Sequence, residues 1–163
     1  MASEFSSNKY SDLNYFLGFD IGSVSINTVI IDENYNIKDE YYDYVHGRPF
    51  NILKDRFSFI LEKYTAKPIK GIAITGAGGL LASELIGGVF VNEIIAQATS
   101  TGTLYPEART VIEIGGEDSK LIILEKDPQN GHSSLVDFEM NSICAAGTGS
   151  FLDQQARRIG VSI

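Results

Sequence analysis

The pattern of hydrophobic and polar positions predicts three strands and a helix at the start of the chain. The apolar runs "YFLGFDIGS" and "INTVIID" predict two strands joined by a small-residue turn, and the alternation in "IKDEYYDYV" predicts an exposed third strand. From Pro49 onwards, apolar residues recur every three or four positions. This spacing predicts an amphipathic helix that ends before Pro68.

A strand and two further helices are predicted in the next stretch. "IKGIAITG" is typical of a buried strand, and the glycine turn after it leads into a short helix, "LLASELI". The segment "VNEIIAQATSTGTLY" predicts a longer helix that is broken near Gly102 and Pro106.

The same order of elements begins again after Pro106. "RTVIEIGGEDSKLIILE" predicts a strand, a glycine turn and a second strand, "SSLVDFEM" a third strand, and the apolar spacing around Ala156 a final helix. We therefore expect an α/β fold with mixed sheets in the order β-β-β-α-β-α, of which the second copy is incomplete. The predicted divisions are a flexible tail (1–13), a first lobe (14–106) and the first part of a second lobe (107–163).

Composition and charge exclude several classes of function. Hydrophobic residues make up 44% of the 163 residues, enough for one ordinary core or two compact lobes. The formal charge of −8, with no block of basic residues, argues against nucleic acid as a partner. The chain has no apolar run long enough for a membrane span and no export signal near its start, so we expect a cytoplasmic protein with no membrane contact. One cysteine excludes an intrachain disulfide.

A short motif occurs in both copies. Asp20-Ile21-Gly22-Ser23 in the first and Glu113-Ile114-Gly115-Gly116 in the second each read acid, isoleucine, glycine, small residue, and they lie 113 − 20 = 93 residues apart. A carboxylate at the end of a buried strand loses solvation, and the glycines after it lose backbone freedom on folding. Something must compensate these costs.

Phosphate and Mg²⁺ binding would provide that compensation. Backbone N–H groups converge at a glycine turn to form an anion site, and a neighbouring carboxylate can hold a hydrated Mg²⁺. We expect Asp20 and Glu113 to be the catalytic residues, holding Mg²⁺ through water, and both turns to bind one nucleoside triphosphate. Ordinary hairpins with acids near their strand ends are the alternative. The residues expected to contact the nucleotide are Gly22, Ser23, Ser25, Gly76, Gly115, Gly116, Asp118 and Ser119.

Four segments resemble a known family. "GFDIGSVSINTVIID", "ITGAGG", "VIEIGGEDSKLIIL" and "NSICAAGTGSFLDQQARRIGV" are similar to the ATPase activases of 2-hydroxyacyl-CoA dehydratases and the related ATPase subunits of benzoyl-CoA reductases. Those proteins belong to the actin-like, sugar-kinase and heat-shock-chaperone superfamily, built from two ribonuclease H-like lobes. The resemblance implies a homodimer with one [4Fe–4S] cluster, in which ATP drives electron transfer to a CoA-ester dehydratase or reductase.

The cysteine motif is the most specific part of the resemblance. Cys144 matches the family's first cluster ligand, and Gly147 and Gly149 match the turn that leads to the helix pointing at the cluster. Without the motif, a lone cysteine before a helix is most often a small buried hydrophobe. In the family a second cysteine lies some tens of residues past the first, whereas this chain stops at Ile163, and two copies of it offer two thiolates where a cubane cluster takes four. We interpret the sequence as an N-terminal portion, inactive alone.

Departures from the family pattern leave alternatives open. Asn27 stands where activases have a lysine, and Glu113 and Glu117 stand where they have Asp and Gln. One alternative is a sugar or carboxylate kinase of the same superfamily, in which Cys144 is inert. Another is an interaction module that senses nucleotide without hydrolysing it.

Overall fold

The computed structural model describes residues 14–65, 68–116, 118–126, 133–141 and 148–162. These residues form two compact units, which divide between Phe90 and Val91. The predicted tail (1–13) lies outside the described residues. Among the helices that are described, none has both the length and the apolar character needed to span a membrane.

The first unit is a five-stranded mixed sheet with the strand order β3-β2-β1-β4-β5. Strands β1 and β2 form the predicted antiparallel hairpin, β3 continues the sheet, and β4 runs parallel to β1. The two-residue β5 was not predicted, because so short a strand shows no alternation. The elements of this unit are β1 (Tyr15–Ile21), β2 (Ser25–Asp32), β3 (Ile37–Tyr44), α1 (Pro49–Lys63), β4 (Ile69–Thr75), α2 (Gly79–Ile86) and β5 (Val89–Phe90).

The core of the first unit lies between the sheet and α1. Alternate residues of β1, among them Leu17 and Phe19, are buried, as the two-residue period of a strand requires. Helix α1 begins at Pro49, a residue that suits the first helical position, and buries Leu53 and Ile60 at helical spacing. One side of the sheet is therefore occupied by packing, and the side that carries Asp20 is only partly covered.

The second unit is a three-stranded antiparallel sheet with two helices. Ile94 and Ala98 of the first helix pack against Ile122 and Leu124 of the middle strand. This packing places that helix in the second unit, although the predicted first lobe extends to residue 106; the lobe boundaries stay a prediction. The elements are α3 (Glu93–Leu104), β6 (Thr110–Ile114), β7 (Ser119–Lys126), β8 (Ser133–Asn141) and α4 (Gly149–Ile159).

The predicted break is wrong at Gly102, because α3 continues through it, and is confirmed near Pro106, since the helix ends at Leu104. A Cβ atom at position 102 would lie 2.9 Å from the Cβ of Ser133. The glycine therefore allows the helix to approach β8 closely. The predicted order of elements is confirmed in both copies.

The turn between β2 and β3 depends on one buried carboxylate. Asp32 is 1% exposed, pairs with Lys38 at 2.7 Å and accepts hydrogen bonds from the backbone N–H groups of Asn34 and Asn36. The bond from Lys38, followed by those from Asn36 and Asn34, holds the pKa of Asp32 well below its usual range despite burial.

Acid should therefore destabilise the protein through Asp32. Because its folded pKa lies below its unfolded pKa of about 4, its stabilising contribution is present above that value and is lost as the pH falls through the acidic range. We expect Asp32→Asn to lower the thermal midpoint at neutral pH and to flatten its fall on acidification. Thermal melts between neutral and acidic pH test this. Asp55→Asn, an exposed change on α1, should leave the profile as it is; equal profiles for both variants and the wild type contradict the prediction.

Candidate functional site

The first glycine turn follows the carboxyl end of β1. The Gly22 N–H donates to the Ser25 carbonyl at 2.9 Å and closes the hairpin, while Ser23 is exposed at its tip. Strand β4 runs parallel to β1, with Asp20 opposite Thr75. The carboxyl ends of two parallel strands thus meet at one edge of the sheet, which is where ligands bind in open α/β sheets.

The Asp20 carboxylate has one neutral partner. Asn27, its register partner on β2, donates to it across a long 3.3 Å bond. In the described part of the chain Asp20 forms no ion pair. Its negative charge is therefore available to a cation.

The turn after β4 contacts the same carboxylate. Gly76 has a positive φ of 86°, and a Cβ atom there would lie 2.5 Å from Asp20 Oδ1 and 2.6 Å from the Ile21 carbonyl oxygen. Next to it, the Thr75 hydroxyl oxygen is buried with no hydrogen-bond partner among the described residues. Among the described residues, the Asp20 carboxylate has no cation partner and the Thr75 hydroxyl has no hydrogen-bond partner. A bound water or hydrated ion would satisfy these groups.

The second glycine turn repeats the hydrogen bond of the first. The Gly115 N–H donates to the Asp118 carbonyl at 2.9 Å, and positions 115 and 118 lie 93 residues after 22 and 25. A Cβ atom on Gly115 would lie 2.6 Å from Asp118 Oδ1 and 3.3 Å from Glu113 Oε1. Two carboxylates therefore crowd this turn, and its closing hydrogen bond matches that of the first hairpin.

Lys120 is the residue that the sequence prediction missed. It is the register partner of Glu113, as Asn27 is of Asp20, and 27 + 93 = 120. Its ammonium lies 2.7 Å from Glu113 Oε2, 2.9 Å from Asp118 Oδ1 and 3.2 Å from Glu93 Oε1. The 93-residue offset would have identified Lys120, whereas the approach of Glu93 depends on how α3 packs.

The electrostatics of the cluster keep Lys120 protonated. Burial by itself lowers the pKa of a lysine, but the adjoining carboxylates of Glu113, Asp118 and Glu93 outweigh it and raise the pKa of Lys120 well above its usual range. Lys120 and Ser119 also line a cavity of about 310 Å³ at this end of the sheet. Of the predicted nucleotide contacts, Asp118 pairs with the buried cation, and Ser119 directly precedes Lys120 in the chain.

The start of α4 is joined to the second turn. Thr148 is its N-cap and is buried, and the Gly149 N–H donates to the Gly115 carbonyl at 2.7 Å. The predicted site residues Cys144 and Gly147 lie outside the described residues, as does Glu117. Gly116 lies in the described turn, directly after Gly115.

No protein cage for a metal is found within the described ranges. No three His, Cys, Asp or Glu side chains there are arranged to hold an ion. The three carboxylates of the second unit instead surround the Lys120 ammonium. Mg²⁺ often takes only one or two carboxylates, together with waters and phosphate oxygens, and Asp20 has the free charge to serve as one of them.

The comparison with protein families identifies one group of ATPases. Residues 17–163 match the BadF/BadG/BcrA/BcrD ATPase family. One subunit of the benzoyl-CoA reductase of Thauera aromatica is 27% identical over 89% of this chain and 51% of its own length.

Two solved structures have the same fold. The (R)-2-hydroxyglutaryl-CoA dehydratase component A of Acidaminococcus fermentans matches with a TM-score of 0.75 and 32% identity, over 91% of this chain and 55% of that one. The activator of the 2-hydroxyisocaproyl-CoA dehydratase from Clostridium difficile, solved with bound ADPNP, matches with a TM-score of 0.69 and 32% identity, over 91% and 53%. The predicted actin-like fold is confirmed. The chain spans about half the length of the curated relatives it matches.

Proposed function

Because this chain belongs to the BadF/BadG/BcrA/BcrD ATPase family, we propose that it is the ATP- and Mg²⁺-binding part of an activase that drives electron transfer to a CoA-ester dehydratase or reductase. The observation that carries the proposal is the duplicated carboxylate–glycine hairpin. Its turn is closed by the same backbone hydrogen bond, 2.9 Å long, in both copies. Relatives named as dehydratase activators, one of them solved with bound ADPNP, support the nucleotide and the partner class.

The two hairpin carboxylates, Asp20 and Glu113, are not equally suited to bind Mg²⁺. Asp20, which has no cation partner in the described ranges, is the carboxylate best suited to Mg²⁺, while Glu113 already pairs with Lys120. The glycine turns at Gly22 and Gly115 would let phosphate oxygens approach the backbone closely, because the glycines have no side chain in the way, while their own N–H groups keep the hairpins closed. When bound, Mg²⁺ neutralises the developing phosphate charge, and the protein supplies positioning.

The iron–sulfur part of the proposal concerns the full-length protein. Cys144 is the only cysteine of this chain, so two copies supply two of the four thiolates that a [4Fe–4S] cluster takes. The 163 residues of this chain therefore do not complete a cluster site by themselves. In the full-length cytoplasmic homodimer that we propose, Cys144 contributes one ligand from each copy.

A second candidate function follows from Asn27. A neutral amide stands beside Asp20 in the place of the lysine that the family pattern has, so this hairpin lacks one charge that would stabilise transferred phosphate. A protein that binds ATP tightly and hydrolyses it slowly or not at all would act as a nucleotide sensor.

One set of measurements on the full-length protein, prepared without oxygen, tests these functions. We expect Mg²⁺-dependent binding of a fluorescent ATP analogue, phosphate release with no added acceptor, and visible iron–sulfur absorption after reconstitution with iron and sulfide. Tight binding without phosphate release supports the sensor. Phosphoryl transfer to a sugar or carboxylate, with no cluster absorption, contradicts the activase and identifies a kinase.

A further inference from the structure

The two hairpins hold their carboxylates in different ways. Each acid faces the residue seven positions later on the neighbouring strand, and that residue is the neutral Asn27 in the first hairpin and the cationic Lys120 in the second. The Asp20–Asn27 contact is a single 3.3 Å hydrogen bond, whereas the Glu113–Lys120 contact is a 2.7 Å ion pair. The two hairpins thus share one backbone arrangement, but Asp20 is more available to a cation than Glu113 is.

The Lys120 side chain is enclosed by three different elements. Glu113 comes from β6, Asp118 from the turn and Glu93 from α3, and the lysine side chain is 2% exposed. Burying an ammonium is costly unless it is paired and hydrogen-bonded. The convergence of three carboxylates meets that cost and fixes the positions of the carboxylates in turn.

The charge balance of the cluster matters to a neighbouring phosphate. Among the described residues, the three carboxylates and one ammonium of this cluster leave a charge of −3 + 1 = −2, and the Gly115–Gly116 turn lies between Glu113 and Asp118 in the chain. Without the ammonium these three carboxylates would contribute −3. Repulsion of a polyphosphate grows with each unpaired carboxylate in a partly buried site.

We propose that Lys120 is a positioning residue of the nucleotide site, which occupies Glu113 and Asp118 so that neither carboxylate ligates Mg²⁺ directly. The second glycine turn can then lie beside a phosphate group, because the adjoining negative charge is reduced. This division of labour, with Asp20 as the metal-facing acid and Glu113 as an internal ion-pair partner, rests on the proposed ATP-binding function.

Lys120→Met in the full-length protein tests the inference. We expect the affinity for a fluorescent ATP analogue to fall by at least about tenfold at low Mg²⁺, and much of the loss to be recovered at high Mg²⁺, because the freed carboxylates then take the ion. Adding Glu93→Gln to Lys120→Met removes one unpaired charge and should restore part of the affinity. A residue that merely fills space would show neither the Mg²⁺ dependence nor the rescue.

Controls separate the possible failures. Lys126→Met removes a more exposed lysine from the same strand. It should change neither the affinity for the ATP analogue nor the dependence of that affinity on Mg²⁺. If Lys120→Met does not fold, Glu93→Gln alone serves, since removing one negative charge should tighten ATP binding about two- to fivefold at low Mg²⁺. If the variant that is measured binds the ATP analogue with the affinity and the Mg²⁺ dependence of the wild type, the inference is wrong. A wild type that binds no ATP overturns the proposed function itself.

Discussion

Gly76→Ala is expected to destabilise the first unit by about 2–4 kcal/mol and to abolish Mg²⁺-dependent nucleotide binding. The residue has a φ of 86°, a conformation that costs non-glycine residues about 1–3 kcal/mol. Its new Cβ atom would also lie 2.6 Å from the carbonyl oxygen of Ile21, a backbone atom that cannot rotate away. Relief of this clash must move the end of β1, and with it Asp20. Denaturant unfolding and titration with a fluorescent ATP analogue, both on the full-length protein, measure the two effects.

Gly47→Ala is a matched control for the backbone conformation. Gly47 has a similar φ of 73°, but an added Cβ atom there would meet nothing within 4 Å. It should therefore cost only about 1–2 kcal/mol and leave nucleotide binding unchanged. Equal destabilisation by the two substitutions would show that strain at φ, and not contact with β1, explains the glycine at position 76.

Local patterns were sufficient to predict most of the fold. The two-residue alternation in β1 and β2 and the apolar spacing in α1 can be seen within each segment, because each of these elements buries one side and exposes the other. The hairpin turn at Gly22 also follows from local chemistry, because small residues there let the strands reverse. Gly102 led to a wrong prediction, since a glycine is needed there for the contact with Ser133 on β8, 31 residues away (133 − 102).

The sequence predicts only those features of the candidate site that the two repeated motifs share. Asp20 and Glu113 were identified by the motif they share, but the motif treats them as equivalent. Their difference arises from the residues across the strand pair, Asn27 and Lys120, and from the arrival of Glu93 on α3. The difference between Asn27 and Lys120 can be found by applying the 93-residue offset to the sequence. The approach of Glu93 depends on tertiary packing, which no local pattern contains.

The divergence of the hairpins has a physical consequence for catalysis. An acid held by a buried ammonium is fixed in place and is poorly available to a metal, whereas an acid held by one weak amide bond is free to ligate one. A duplicated fold can therefore supply a metal ligand from one copy and a rigid phosphate-binding turn from the other. Under the proposed function, the two similar motifs would therefore have different roles.

Asp20→Asn is expected to raise the Mg²⁺ concentration needed for ATP binding by about 10- to 100-fold and to reduce phosphate release by at least about 100-fold. The substitution keeps the size of the side chain and a hydrogen bond to Asn27, but it removes the one carboxylate of this hairpin that has no cation partner in the described ranges. Folding should change little, since the replaced charge makes no ion pair there. Binding of a fluorescent ATP analogue against Mg²⁺ concentration, with phosphate release at saturating ATP, provides the measurement.

Two further variants serve as controls for Asp20→Asn. Asp43→Asn removes the same charge from β3, where the acid pairs with Arg56 at 2.7 Å, and should leave the Mg²⁺ dependence unchanged. Glu113→Gln should alter the Mg²⁺ dependence less than Asp20→Asn does, because Lys120 already occupies that carboxylate. If Glu113→Gln instead shifts the Mg²⁺ requirement as strongly as Asp20→Asn, the two hairpins hold the metal equally. The Lys120 ion pair would then not keep Glu113 from the metal.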